Sequence, residues 1–417
     1  QGATRHRATR HRGTVLIISQ VFVPDPASVG QHMFDVAREL AARGHRVLVY
    51  TSARGYDDPS VRYAPRDFRD GVQIRRLPFA SFGKKSILTR IVGTISFMVQ
   101  AFLRTLLTYN FSAILFSTSP PMIGISMSLV RLFRSVPMVY WAMDLNPDQL
   151  IALGKIGPRS VLARLLEGIN RTILRGSALV IALDRFMAAR LSARVELRDK
   201  MVVIPPWPHE TFVEPVDHAS NPFRDRHNLA GKFVVMYSGN HSPSNPLDTL
   251  LQAALRLRDD DTLRFLFVGG GVGKKDVERF VAQHQLGNVL CLPYQPLADL
   301  CYSLSAADVH VVSLGDKMVG IIHPCKVYGA MAVGRPVLFF GPKPSHVSDL
   351  LDQHGIGWHV AHGDVDGAVR TIREIQQTSP EQLDEMGRAA QRVLAGSLSQ
   401  QILCKRFCDG IELVMRK

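Results

Sequence analysis

Cysteine is scarce in this chain: five in 417 residues, at positions 291, 301, 325, 404 and 408. An odd, sparse set excludes a disulfide scaffold and fits a reducing compartment. Long apolar runs are missing as well. The longest uncharged apolar stretch, Ile91 to Leu103, has thirteen residues, whereas a bilayer core needs about 20. The first twelve residues contain no apolar segment; they hold four Arg and two His in a doubled ATRHR. A secretory signal is therefore not expected there, and residues 1–13 read as a basic disordered tail. Acidic residues are short in one half only. Residues 1–205 hold 29 basic and 13 acidic side chains, whereas residues 206–417 hold 21 and 23. The whole-chain excess of +14 thus belongs to the first half. No recognition motif or basic–aromatic interleaving accompanies it, which argues against nucleic acid. An anionic membrane surface is the expected partner. Lys84, Lys85 and Arg90 precede Ile91–Leu103 and Arg104 follows it, the composition of an interfacial helix. The alternative is a core helix with basic caps.

What is present is an ordinary globular balance, 46% hydrophobic and 21% charged residues, long enough for two or three domains. A strand-like run, TVLIIS (14–19), leads through a loop to a helix marked by Met33, Val36, Ala37, Leu40 and Ala41, which Gly44 ends. The runs RVLVY (46–50), AILFS (113–117), PMVYW (137–141) and ALVIAL (178–183) follow. They are continuous rather than alternating, as in a parallel sheet covered on both faces. The scheme restarts with FVVMYS (233–238), a helix over 247–257, LRFLFV (263–268), DVHVVS (308–313) and PVLFF (336–340). Between the schemes lies a stretch rich in Pro and polar residues, 204–222, the natural linker. The pattern predicts an α/β fold of two doubly wound domains. The expected bounds are 14–205 for the first, 206–222 for the linker, 223–395 for the second and 396–417 for a C-terminal helix that could pack back on the first. Two such domains face each other across a cleft at the carboxyl ends of both sheets.

Several motifs, taken in order, resemble the retaining family 4 glycosyltransferases with two Rossmann-like domains, the GT-B fold. They are PDPASVGQHMFDVARELAARGHRV, SPPMIG (119–124), PMVYWAMDLNPDQLIALG (137–154), VIPPWP, YSGN, FVGGG and HPCKVYGAMAVGRPV (323–337). The branch they resemble builds capsule, O-antigen and exopolysaccharide units. The resemblance implies transfer of a sugar from a nucleotide sugar, usually a UDP-sugar, to a lipid-linked or polysaccharide-precursor acceptor. It implies no metal and no cofactor, retention of anomeric configuration, and a peripheral place on the cytoplasmic face of the inner membrane. One feature departs from the family. Its members carry two glutamates with seven residues between them, where this chain has Ile321 and Gly329. A similar sub-branch has Pro-Ser-Lys in this region; here it is Pro324-Cys325-Lys326.

A nucleotide diphosphate needs positive charge and free N–H groups. Pro324 suits a first helical position, and Lys326 in the first turn would add a full charge at a helix start. Gly239, Asn240 and His241 follow a strand directly, where glycine allows close backbone approach. Ser28 and Gly30 are expected to approach the phosphates or acceptor from the first domain. Gly269–Gly273 fails the G-x-G-x-x-G test and no ribose-binding acid follows, which excludes a dinucleotide site; Gly270 and Gly271 are expected to pass close to the donor. Tyr294 is a candidate wall for the base. Asp144, at a strand end, could take a proton from the acceptor or brace a developing positive sugar, or simply cap the next helix. His323 is a second candidate for catalytic contact with the donor. Cys404 and Cys408, one helical turn apart, read as buried small residues. Two other readings share the fold: a non-catalytic nucleotide-sugar or membrane-binding protein, and a sugar-nucleotide epimerase.

Overall fold

The computed structural model describes residues 12–25, 27–55, 58–80, 87–108, 110–208 and 214–416. Most of the basic tail, Lys84 and Lys85 lie outside these residues, as does the side chain of Arg90.

The first sheet contains β1 (Thr14–Ile18), β2 (Arg46–Ser52), β3 (Arg66–Arg69), β4 (Val72–Leu77), β5 (Ala113–Ser117), β6 (Met138–Trp141), β7 (Leu179–Ala182) and β8 (Met201–Val203). Their order is β3-β4-β2-β1-β5-β6-β7-β8. All pairs are parallel except β3 with β4. That hairpin turns at Asp70-Gly71, both with positive φ, the preference of a tight two-residue turn. Its strands, RDFR and VQIRRL, are too rich in Arg to stand out as apolar runs, so sequence reading missed them. The second sheet contains β9 (Phe233–Ser238), β10 (Leu263–Val268), β11 (Val289–Leu292), β12 (Val309–Ser313), β13 (Val337–Phe340) and β14 (Gly357–Val360). Its order is β11-β10-β9-β12-β13-β14, all parallel. Strand order reverses beside β1 and beside β9. Ligands of doubly wound sheets bind at such reversals, outside the carboxyl ends of the strands.

The Pro-rich stretch is tied down at its start. Trp207 is buried in the first domain and stacks 6.2 Å from Trp141. Its indole N–H donates to Asp35 Oδ2 at 2.9 Å, and its carbonyl pairs with His32 Nε2 at 2.7 Å. Phe407, on the last helix (Gln400–Met415), meets both indoles edge-on. The same helix holds the first domain through Glu412, which pairs with Arg43 and His45, and through Asp409 with Arg43.

Helix Ile87–Leu107 lies against helix Ile123–Phe133 on the outside of the first sheet. It buries Gly93, Phe97, Ala101 and Thr105, one side chain every four residues. Ile91, Ile95, Val99, Leu103 and Leu107, two residues out of phase, stand exposed. A core helix buries its apolar residues; this one buries a single stripe. No helix among the described residues is long and apolar enough to cross a membrane.

Candidate functional site

The loops after β9 and β10 form one corner of the cleft. Gly239 and Gly269 both have positive φ, and a Cβ on Gly269 would collide with the Gly239 carbonyl. A Cβ on Gly271 would likewise strike Asn240 Oδ1. His241 locks the two loops together: its backbone N–H donates to the Gly270 carbonyl at 2.7 Å. Its ring Nδ1 lies 3.1 Å from the Gly239 carbonyl and 3.3 Å from that of Gly270. Burial, with Lys274 nearby, lowers the imidazole to about 4. At neutral pH the ring is therefore uncharged and donates through Nδ1. His241 is 1% exposed, so it acts within the protein as a clasp between loops. Asn240 is exposed. Gly270 and Gly271 lack side chains because loop and ring fill the space; a Cβ on Gly270 would lie 2.9 Å from the Tyr294 ring. Tyr294 itself is 60% exposed, beyond the end of β11.

Lys326 is the first residue of helix Lys326–Ala332. The expectation that Pro324 starts this helix is corrected: Pro324 precedes it by two residues, outside the turn whose N–H groups are free. Lys326 bends over Gly239, where a Cβ would lie 2.7 Å from its Cε. Its ammonium sits 5.3 Å above the Tyr237 ring, a favourable cation–π placement. The Tyr237 hydroxyl donates to the Asn240 carbonyl at 2.7 Å. Burial pulls the Lys326 ammonium down to about 8. Among the described residues it has no carboxylate partner. The half-buried charge of Lys326 thus lies beside two glycine-lined loops with no carboxylate against it among the described residues.

The opposite corner belongs to the first domain. Asp144 follows β6, and its backbone N–H donates to Thr118 Oγ1 at 3.3 Å. It lines a pocket with Tyr140, Asn146, Asn170 and Arg194. The residue opens to solvent on one side, yet desolvation by the surrounding walls raises its carboxyl above the ordinary range. The helix-cap alternative does not hold, because Pro147 occupies the cap of helix Asp148–Ala152. Arg194 is held by Asp148 and Glu167.

His323 is not open to the cleft. Its side chain is 1% exposed and lies in the seam between domains. Nδ1 pairs with Asp184 Oδ2 at 3.0 Å and Nε2 with the Tyr328 hydroxyl at 2.8 Å. The same hydroxyl lies 3.2 Å from His346 Nε2. Burial opposes charge on Asp184, but bonds from His323 and the Met187 N–H hold its carboxyl below the usual range. Burial and the neighbouring His323 push His346 down to about 3. With both nitrogens engaged, His323 joins the domains; contact with a donor sugar needs a different arrangement. Sequence reading missed Asp184, Tyr328 and His346. Asp184 had a local signal, an acid capping helix Arg185–Ser192 straight after a strand, but its partner is 139 residues away. Ser28 is exposed at the start of helix Ser28–Ala42. Gly30 is buried, and a Cβ there would lie 3.0 Å from the Phe22 backbone. Its lack of a side chain serves close packing of helix Ser28–Ala42 on the Phe22 backbone. Ile321 and Gly329, in place of the two glutamates, are both buried, and the Ile321 carbonyl accepts from the Leu145 N–H at 3.0 Å across the seam.

Residues 28–207 match the family described as "Glycosyl transferase 4-like domain", and residues 220–393 match "Glycosyl transferases group 1". The chain belongs to the family 4 glycosyltransferases with the GT-B fold. This glycosyltransferase is 27% identical to "Probable glycosyltransferase WbjE" of Pseudomonas aeruginosa over 294 residues, 70% of this chain and 72% of that one. It is 24% identical to WcaI of Escherichia coli K12, named for colanic acid biosynthesis, over 86% of this chain and 91% of that one. Among solved structures, sucrose-phosphate synthase from Thermosynechococcus elongatus superposes with a TM-score of 0.78 at 18% identity, covering 97% and 100% of the two chains. HepE of Anabaena, solved in complex with UDP and glucose, superposes with a TM-score of 0.70 at 14% identity, covering 96% and 100%.

Proposed function

We propose that this glycosyltransferase moves a sugar from a UDP-sugar to a lipid-linked or polysaccharide-precursor acceptor at the inner membrane face, with retention of configuration and without a metal. The observation that carries the reading is Lys326: a half-buried ammonium with no carboxylate partner, poised over Gly239. A diphosphate there would restore the charge balance that burial disturbs. Exposed Asn240 adds a side-chain amide and Tyr294 an aromatic face for the base. HepE, solved with UDP, supports the choice of nucleotide. On the other side Asp144, with its carboxyl raised by desolvation, is suited to take the acceptor hydroxyl proton. Without an acid at 321 or 329, the cation carries the leaving diphosphate and the sugar hydroxyls must find other partners. The donor is a hexosyl or N-acetylhexosaminyl nucleotide.

Calorimetric titration with UDP, GDP and dTDP tests the nucleotide. Turnover of a UDP-sugar with a polyprenyl-diphosphate saccharide, in the presence of chelator, tests acceptor and metal together; the anomeric proton coupling of the product tests retention. Failure to bind any nucleoside diphosphate would overturn the proposal. The apolar Ile321 and Gly329 favour a second reading, nucleotide-sugar binding without transfer. UDP binding with no turnover on any acceptor would select it. Conversion of the free nucleotide sugar without acceptor would select an epimerase.

A further inference from the structure

We infer that Asp184, a carboxylate of the first domain, is a positioning residue for the donor site of the second: it anchors the hydrogen-bonded staple between His323 and Tyr328 that aims Lys326. The inference rests on the donor-site reading above and names a residue outside that site on which it depends. Lys326 sits inside an arc that runs from His323 to Tyr328. The backbone turns tightly there. The Cys325 N–H donates to the His323 carbonyl at 3.0 Å, and the Tyr328 N–H to that of Cys325 at 3.1 Å. The two ends of the arc meet through their side chains, His323 Nε2 lying 2.8 Å from the Tyr328 hydroxyl. His346 Nε2 braces the same hydroxyl at 3.2 Å. On the outer side, His323 Nδ1 lies 3.0 Å from Asp184 Oδ2. A carboxylate only accepts, so Nδ1 carries a ring proton. The other oxygen, Oδ1, accepts the Met187 N–H at 2.8 Å and caps helix Arg185–Ser192. Both carboxylate oxygens are thereby fixed, and the staple is fastened to a helix start of the first domain.

The stretch leading into the arc leans on the same domain. Arg190 Nε donates to the Val319 carbonyl at 2.7 Å, and the Leu145 N–H to that of Ile321 at 3.0 Å. Gly320 passes so close to Phe186 that a Cβ would lie 2.6 Å from its carbonyl carbon. The side chains of Asp184 and His323 are 3% and 1% exposed. Water cannot replace either partner, so a broken bond leaves a buried ring nitrogen unpaired. Binding groups need supporting bonds that hold them within about 0.5 Å. The stem of Lys326 is flexible, and its ammonium rests on the Tyr237 ring face with no carboxylate to fix it among the described residues. Where the arc places its backbone therefore decides where the charge arrives. A first-domain carboxylate reaches the diphosphate corner through one histidine and one tyrosine, without touching the donor.

Calorimetric titration of the full chain with UDP tests the inference, with circular dichroism to confirm that each variant is folded. Asp184→Ser keeps an oxygen that can cap the helix but is too short to reach His323. Its UDP dissociation constant should rise by about fivefold or more. Asp184→Asn can cap through its carbonyl oxygen and donate its amide to His323 Nδ1, the ring proton moving to Nε2. It should bind UDP within about twofold of wild type. Tyr328→Phe opens the staple, keeps the buried ring and leaves the Asp184–His323 bond; the constant should rise by about threefold or more. In a Lys326→Met background, Asp184→Ser should change UDP affinity by less than about twofold, because the lysine through which Asp184 acts is gone. An aspartate that merely held the fold would cost the same in both backgrounds. Equal UDP affinity of wild type and Asp184→Ser would overturn the inference, as would an undiminished loss in the Lys326→Met background or an Asp184→Asn protein as weak as Asp184→Ser. If Asp184→Ser does not fold, wild-type affinity in Tyr328→Phe overturns it alone. Failure of the wild type to bind UDP is a separate result, seen before any variant is compared, and refutes the donor-site reading together with this one.

Discussion

Two lysines of the second domain stand at the start of a helix that follows a sheet strand, and they have opposite fates. Lys274 is 8% exposed and donates to the carbonyls of Phe267 and Leu292 at 2.6 and 3.0 Å. Lys326 faces Gly239 and the Tyr237 ring and has no carboxylate partner. Burial lowers both ammonium groups. The first is compensated inside the protein and fastens β10 to β11. The second has the Tyr237 ring beneath it but no carboxylate among the described residues, so burial leaves its charge at a cost that a ligand can offset. A buried charge is evidence of function only after its internal partners have been counted.

The largest expected effect tests the structural member of the pair. Lys274→Met removes two hydrogen bonds from the ammonium, to the carbonyls of Phe267 and Leu292, the second of which still accepts the Gly269 N–H. At about 1.5–3 kcal/mol for each bond to a charged donor, chemical denaturation should show a loss of roughly 3–6 kcal/mol, with UDP affinity of the folded fraction intact. An unchanged denaturation midpoint would remove the contrast. Next comes the opposite corner of the cleft. Asp144→Asn keeps the shape but cannot accept a proton, and turnover should fall by about 10²-fold or more, with UDP binding preserved. Normal turnover would leave Asp144 without a chemical role.

Lys326→Met should weaken UDP binding by roughly 1.5–3 kcal/mol, the range of a charge-assisted contact. It should not lower the thermal midpoint of the ligand-free protein, because the lost charge was unfavourable there. A variant that binds UDP normally would refute the diphosphate placement. A pH titration refines the same point. With the folded ammonium at about 8, UDP affinity should drop by about tenfold between about pH 7 and pH 9. The Lys326→Met protein should lose this dependence. The stability sign is opposite. The unfolded lysine titrates near 10.5 and the folded one near 8, so between them the unfolded chain holds more protons. The contribution of Lys326 to ligand-free stability therefore rises with pH across that window. The smallest effect belongs to Tyr294→Leu, which keeps apolar area and removes the ring. A stacked base would lose about 0.5–1.5 kcal/mol, seen as a several-fold increase in the UDP dissociation constant; equal affinity would take Tyr294 out of the site.

The central sheet strands were legible because strands buried on both faces are apolar throughout: Val15, Leu16, Ile17 and Ile18 are all fully buried, whereas the half-buried edge strands β8 and β14 gave no such run. The hairpin of β3 and β4 was not, since its edge position lets arginines occupy the strand. The corner at Gly239, Gly270 and Lys326 could be nominated from glycines at strand ends and one lysine between apolar runs. Their mutual contact could not. His323 shows the limit most clearly. Its place beside the Pro-Cys-Lys run suggested contact with the donor, but a residue from the other domain, Asp184, occupies its ring nitrogen. Helix Ile87–Leu107 was visible as apolar and basic, yet which half of its residues face the core depends on the sheet it rests on.

The amino-acid sequence by itself determined the α/β class, the two doubled schemes and the charge division between them, because periodicity and composition are local properties that need no partner. Only the tertiary structure decided which polar groups are already satisfied. Whether Lys274 and His323 are occupied, and Lys326 lacks a carboxylate, depends on chain segments brought together across many residues, and a charge without an opposite charge beside it can be recognised only after that assembly is complete.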